Sequence, residues 1–250
     1  MARPEPRILT VTDSFRVTPN LHRVTVGGPA LANFPSDQKG GYVKLSLPGP
    51  EGGKACVRTY TIRHQTEDGL AIDFALHGSD EDSGPATSWA LNAQVGDSIK
   101  LGGPGAAKPL PEGSGPFLLV GDMTALPAIS VNLEALPKNA TGDAIILIRD
   151  DADKQDIEKP DGVTIQWIVD ADLGSSPALL ADAARKISAP EELAYAWVAC
   201  EFESMKLLRE YLRVEQQFGP ERLYISSYWK RGLIEDEHKQ VKRSDAQAGG

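Results

Sequence analysis

Arg58-Thr59-Tyr60-Thr61-Ile62-Arg63 reads as a strand carrying an aromatic ring, hydroxyls and two guanidinium groups. Side chains alternate across a strand, so Arg58, Tyr60 and Ile62 share one face and Thr59, Thr61 and Arg63 the other. A strand buried on both faces has little use for two arginines and a tyrosine. A strand laid along a planar, anionic ligand uses all three. Tyr60 would pack on a ring system, Thr61 would hydrogen-bond a polar edge, and Arg58 would neutralise a phosphate. Taken alone, the pattern is equally compatible with an edge strand bearing ordinary surface arginines.

The chain around this stretch has the same grammar. Ile8–Thr12, Leu21–Val26, Tyr42–Leu47, Leu70–Leu76 and Ile99–Leu101 are short alternating runs separated by Gly/Pro turns. Such spacing predicts an antiparallel β-barrel or sandwich. The segment from Gly102 to Pro116 then holds five glycines and four prolines, which marks a domain boundary. We expect domains at 1–106 and 107–250.

Beyond the boundary, Phe117–Val120 is a continuous apolar run, the signature of a parallel strand buried on both faces. Further strands are expected at 144–148, 163–168, 194–199 and 222–226, with helices at 125–136, 177–187 and 202–217. This alternation implies a parallel α/β sheet of nucleotide-binding type, with ligands beyond the carboxyl ends of its strands. Those ends are Gly121-Asp122, Arg149-Asp150, Asp170, Cys200-Glu201 and Ser226–Trp229. The tail from Ser244 is small and polar and is expected to be mobile.

Composition narrows the function. The 250 residues carry 35 Asp and Glu against 26 Lys and Arg, a formal net charge of −9, which argues against a general nucleic-acid binder. No run is long and apolar enough to span a membrane, and the N-terminus lacks a signal-peptide core. A cytoplasmic location is therefore expected. The two cysteines, Cys56 and Cys200, have no CxxC partner, so the chain cannot supply a cysteine-ligated iron–sulfur cluster. A disulfide between them is not expected. The four histidines lack metal-ligand spacing, and no protein-held metal is expected. Local basic charge at Lys230, Arg231, Lys239, Lys242 and Arg243 suggests a small anionic ligand.

Two more segments carry chemistry. Gly84-Pro85-Ala86-Thr87-Ser88-Trp89-Ala90 reads as a helix start, whose free N–H groups suit a pyrophosphate, with Thr87 and Ser88 adding hydroxyls. The alternative is a capped helix with Trp89 in the core. Gly121–Ala128 is a strand–turn–helix junction without a G-x-G-x-x-G fingerprint. Its small residues would still admit a nicotinamide or its phosphates.

The ordered set Arg58–Arg63, Leu76-His77-Gly78, Gly84–Ala90, Gly121–Ile129 and Tyr228-Trp229-Lys230-Arg231-Gly232 resembles the siderophore-interacting protein family of FAD-containing ferric-siderophore reductases. The resemblance spans nearly the whole chain. It implies a ferredoxin-reductase-like architecture, with an FAD-binding barrel followed by an NAD(P)H-binding α/β domain. It implies FAD contacts from Arg58, Tyr60, Thr61, Ile62, Arg63 and Asp73, then His77, Gly78, Pro85, Ala86, Thr87, Ser88 and Trp89. Gly121, Asp122, Thr124, Ala125 and Glu201 would meet the nicotinamide. Lys44, Lys242 and Arg243, with Lys239 in reserve, would bind an anionic ferric siderophore. Met123, Cys200 and Ser227 stand where the family usually has Glu, Gly and Gly. The electron donor is left open between NADH, NADPH and reduced ferredoxin. No catalytic side chain is expected, because the flavin carries the redox chemistry. A monomer is expected. Rival readings are a flavin or ferredoxin–NADP reductase of the same fold, and a siderophore carrier that is not an enzyme.

Overall fold

The computed structural model describes residues 5–47, 55–76, 84–187, 190–233 and 235–247. It divides into two compact units. One runs to Pro109 and takes in Ser130–Asn132; the other comprises Leu110–Ile129 and the chain from Leu133.

The first unit is a closed six-stranded antiparallel barrel. Its strands are β1 (Arg7–Thr18), β2 (Leu21–Gly27), β3 (Tyr42–Leu47), β4 (Cys56–Gln65), β5 (Gly69–Ala75) and β6 (Ser98–Gly105). They close in the order β1-β2-β5-β4-β3-β6. Closure leaves no free edge, the alternative that a sandwich would have kept open. The alternating residues point inward as the strand period requires: Val24 and Val26, Val43 and Leu45, Ile72 and Phe74 are all within 1% of complete burial. Each contributes about 1.5–3 kcal/mol by leaving water. On the other face of β5, Asp73 holds Arg23 of β2 through two hydrogen bonds of 2.6 and 2.8 Å. Helix α1 (Pro85–Asn92) packs Ala90 into the barrel core.

The second unit is a five-stranded sheet whose strands all run parallel. Its strands are β7 (Phe117–Asp122), β8 (Thr141–Ile148), β9 (Gly162–Val169), β10 (Tyr195–Glu201) and β11 (Leu223–Trp229), in the order β11-β10-β7-β8-β9. Every residue of β7 is buried, as its unbroken apolar run requires. Helices α2 (Leu126–Glu134), α3 (Leu179–Ala184), α4 (Phe202–Arg209) and α5 (Glu235–Gln247) complete the unit. Three of them, α2, α3 and α4, are shorter than the sequence suggests. After Arg209, α4 widens into a π-helical turn over Glu210–Glu215.

The sequence pattern missed α5. Its run Glu-Asp-Glu-His-Lys-Gln-Val-Lys-Arg-Ser-Asp-Ala-Gln has almost no apolar stripe. The expectation of a mobile tail from Ser244 is corrected as far as Gln247, where the helix ends. Arg209 of α4 grips Asp245 through two hydrogen bonds of 2.6 and 2.7 Å and so ties this last turn down. Cys56 and Cys200 are both free thiols, as expected.

Candidate functional site

Strand β4 pairs with β3 through Tyr42↔Thr61, Val43↔Tyr60, Lys44↔Thr59 and Leu45↔Arg58. This register carries the expected alternation as far as Ile62. A bulge between Ile62 and His64 then breaks it. Arg63 sits in that bulge and is left 8% exposed. Tyr60 lies partly in the barrel core, its ring centroid 4.4 Å from that of Phe74, and keeps part of its surface accessible. Phe74 in turn contacts Trp89 of α1 at 5.7 Å. One phenylalanine thus joins the β4 aromatic to the helix expected to receive a pyrophosphate.

The start of α1 suits an anion. Its N-cap is Gly84, no side-chain cap is present among the described residues, Pro85 stands at the start, and the turn holds no acidic residue. N–H groups at such a helix start carry a partial positive charge that suits an anion. Thr87 is buried and Ser88 exposed. Trp89 combines both sequence readings, since it is half-buried and packs on the core. Arg58 of β4 is partly exposed, with one guanidinium nitrogen donating to the Val57 carbonyl at 3.1 Å. These residues fit a flavin dinucleotide: a ring to pack on, a cation, and an uncapped helix start.

Two residues named with them are engaged within the barrel itself. Ile62 is fully buried, its N–H donates to Gly41 O, and its carbonyl accepts from Gly40 N–H. Asp73 is 4% exposed, and Arg23 holds both its oxygens. Both therefore shape the platform from behind. His77 and Gly78 lie outside the described residues.

In the α/β unit, neighbouring strands β7 and β10 lead into helices α2 and α4 respectively. The gap between their carboxyl ends is the topological switch point. Asp122 ends β7 and is 1% exposed. Its Oδ1 accepts from Thr124 N–H at 2.9 Å and from Thr124 Oγ1 at 2.5 Å. Its Oδ2 accepts from Glu201 N–H at 2.9 Å and from Trp229 Nε1 at 2.8 Å. Burial raises the Asp122 pKa above the ordinary carboxylate value, and these hydrogen bonds oppose that rise. Glu201 caps α4: Oε2 accepts from Glu203 and Ser204 N–H at 2.6 and 3.2 Å, and Oε1 from Arg231 N–H at 3.2 Å.

Gly121 is small because of packing. A Cβ there would stand 2.7 Å from Ala199 O and 2.8 Å from Ile129 Cδ1. Ala125 is fully buried. Of the five residues expected to meet a nicotinamide, only Thr124 is more than marginally accessible, and its hydroxyl is spent on Asp122. Trp229 was missed, although it stands in the Tyr-Trp-Lys-Arg-Gly run. No local signal shows that its indole reaches Asp122. Cys200 is buried, and burial with the Asp122 and Glu201 charges pushes its thiol pKa well up, so it is inert.

The siderophore-interacting FAD-binding domain matches residues 10–56 and 49–108, and the siderophore-interacting protein model matches 115–232. A ferric vibriobactin reductase of Vibrio cholerae is 34% identical over 96% of this chain and 95% of its own length. This chain belongs to the siderophore-interacting protein family. An NADPH-dependent ferric-chelate reductase of Escherichia coli is 30% identical over 89% of this chain and 92% of its own. Among solved structures, the siderophore-interacting protein SipS from Aeromonas hydrophila superposes with a TM-score of 0.85 at 31% identity, covering 97% of this chain and 98% of that one. A ferredoxin-NADP+ reductase from Plasmodium falciparum shares the fold at 12% identity, with a TM-score of 0.67 over 90% of this chain and 99% of that one. The ferredoxin-reductase-like architecture implied by the sequence is thus correct. No helix among the described residues is long and apolar enough to cross a membrane, and no group of three or more His, Cys, Asp or Glu among them could hold a metal ion.

The basic residues expected to meet this family's substrate fall on both units. Lys44 is exposed on β3. Lys239, Lys242 and Arg243 share one face of α5, at helical spacing. Lys242 is already engaged: its Nζ donates to Ser226 Oγ at 2.6 Å and to the Ser227 carbonyl at 3.0 Å. Arg243 is exposed.

His238 was also missed. It is 4% exposed and its Nε2 lies 2.8 Å from Ser227 Oγ. Burial, then the charges of Lys242, Lys230 and Lys239, lower its pKa from 6.5 to about 4. Between those values the unfolded chain binds a proton that the folded chain refuses. Stability therefore falls as pH drops from about 6.5 to 4, by about 3 kcal/mol in all. Thermal melts from pH 7.5 to 4 should show this slope, and His238→Gln should flatten it. Identical slopes in both proteins would refute the assignment.

Proposed function

We propose that this protein is an FAD-dependent ferric-siderophore reductase of the cytoplasm, acting as a monomer. The observation that carries the reading is the coupling of Tyr60, through Phe74, to the uncapped start of α1 in a family FAD-binding domain. Support for the substrate comes from the Vibrio cholerae relative, whose name states ferric vibriobactin reduction, and from the Escherichia coli ferric-chelate reductase. The latter's name also supports NADPH, and with it NADH, as donor, while reduced ferredoxin is the other donor class considered.

When bound, FAD supplies the ability to take electrons in pairs and pass them on singly. The chain's own residues hold and orient. Tyr60 backs the ring, with Thr61 at its polar edge. Arg58 and the Pro85–Trp89 turn neutralise phosphate charge, and Arg63 joins them in holding the flavin. Lys44, Lys239, Lys242 and Arg243 attract an anionic ferric complex, an attraction that weakens as salt rises. Siderophores hold Fe(III) through hard anionic oxygens and Fe(II) far more weakly. One-electron reduction of the substrate iron therefore releases it without a metal ligand from the protein.

The test is anaerobic. The purified protein is expected to be yellow, to bleach with NADPH, NADH or reduced ferredoxin, and to regain colour when a ferric catecholate siderophore is added. A ferrous chelator should then trap Fe(II). Flavin recovery no faster with ferric siderophore than without it would reject the reading. A colourless protein that still binds ferric siderophore would point to a carrier instead.

A further inference from the structure

An open α/β sheet ordinarily receives the diphosphate of a dinucleotide at its switch point, on the free N–H groups where the flanking helices begin. In this chain donors at both helix starts are engaged: Thr124 N–H ahead of α2 and the Glu203 and Ser204 N–H groups of α4 go to its own carboxylates, and Ala125 N–H goes to the Asp122 carbonyl. Asp122 lies between the ends of β7 and β10 and accepts four hydrogen bonds, from Thr124 N–H, Thr124 Oγ1, Glu201 N–H and Trp229 Nε1. Two bonds to each oxygen fill the acceptor capacity of a carboxylate, and every partner is a donor. The second helix is closed in the same way, with Glu201 accepting from Glu203, Ser204 and Arg231 N–H.

The surrounding charge works in the same direction. Arg231 donates to Asp172 Oδ2 at 2.6 Å, and Lys230 is paired with Glu203. Both of these cations are thus committed to carboxylates of the chain. A diphosphate carries about two negative charges and would meet two buried carboxylates in the place where it needs donors. The turn has no spare room either, since the Cβ space at Gly121 is filled by Ala199 O and Ile129 Cδ1.

We infer that Asp122, seconded by Glu201, is a built-in anion that occupies the diphosphate position of the crevice and determines donor specificity by rejecting a nicotinamide dinucleotide from that mode of binding. An electron donor that serves this protein engages it without a diphosphate anchor at the switch point. The inference rests on the reading that an external donor reduces bound FAD, but its test reads binding alone.

The experiment uses the FAD-loaded full chain and three probes: ADP, NADP+ and inorganic pyrophosphate. The backbone amides of Thr124 and Glu201 and the indole N–H of Trp229 are followed by NMR. In the wild type these three signals should stay unmoved up to millimolar probe. Asp122→Gly leaves the same donors facing space and should bind pyrophosphate at least tenfold more tightly, with all three signals shifting. Saturable shifts of these signals in the wild type would overturn the proposal, whether or not the variant folds. So would a folded Asp122→Gly that binds no better. Flavin content and recovery of colour with ferric siderophore, read on the same samples, report separately on the proposed reductase activity.

Discussion

A protein carrying Arg58→Ala and Tyr60→Leu should fold normally and leave purification colourless. In the proposed site Arg58 supplies charge against a phosphate, and a charge-assisted hydrogen bond of that kind contributes about 1.5–3 kcal/mol. Stacking of a flat ring on an aromatic contributes about 1–3 kcal/mol by analogy with base stacking. Losing both should weaken FAD binding by two orders of magnitude or more. Leucine at position 60 keeps apolar contact with Phe74, whose ring lies 4.4 Å from that of Tyr60, so the barrel core survives. Absorbance near 450 nm after gel filtration gives the flavin content, and circular dichroism checks the fold. Full flavin occupancy in the double variant would remove β4 from the cofactor site.

Gly121→Ala should be the most damaging small change in the α/β unit. The added methyl would stand 2.7 Å from the Ala199 carbonyl of β10, 2.8 Å from Ile129 Cδ1 and 3.0 Å from Ala125 Cβ. The first neighbour is backbone in a paired parallel strand, opposite Gly121 itself, and cannot turn aside. Either β7 and β10 separate or α2 lifts, at a cost of about 3 kcal/mol or more. For a chain of this size that is about 6–12 °C in melting temperature. Flavin should stay on the barrel at temperatures where both proteins are folded. An unchanged melting temperature, with loss only of reduction by NADPH, would restore Gly121 to the nicotinamide role its place in the strand–turn–helix junction suggests.

Legibility differed between the two halves for reasons that particular residues make clear. The barrel strands were readable because alternation is a local property, set by the strand period, and β3 and β4 follow it through Val43, Leu45, Tyr60 and Ile62. The proposed flavin platform is a local reading, because most of its groups lie on one strand and one helix start. Even there, the engagement of Ile62 and Asp73 within the barrel was not legible. The identity of the inner residue says nothing about the Gly40–Gly41 turn that uses up the Ile62 backbone, nor does Asp73 reveal Arg23, 50 residues away. Helix α5 escaped because it has almost no apolar stripe, and it is held by the Arg209–Asp245, His238–Ser227 and Lys242–Ser226 hydrogen bonds across 36, 11 and 16 residues.

By itself, the sequence determined the two-part architecture and the family, because hydrophobic period, turn chemistry and compact motifs are all written within a few residues. The state of the switch point was decided only in three dimensions. Asp122 looks like a polar residue at a ligand-binding strand end until Glu201, 79 residues on, and Trp229, 107 residues on, bring their N–H groups to it. A carboxylate with open lone pairs and one with all of them filled have the same letter in the chain. Which of the two it is depends on donors that only the folded sheet assembles.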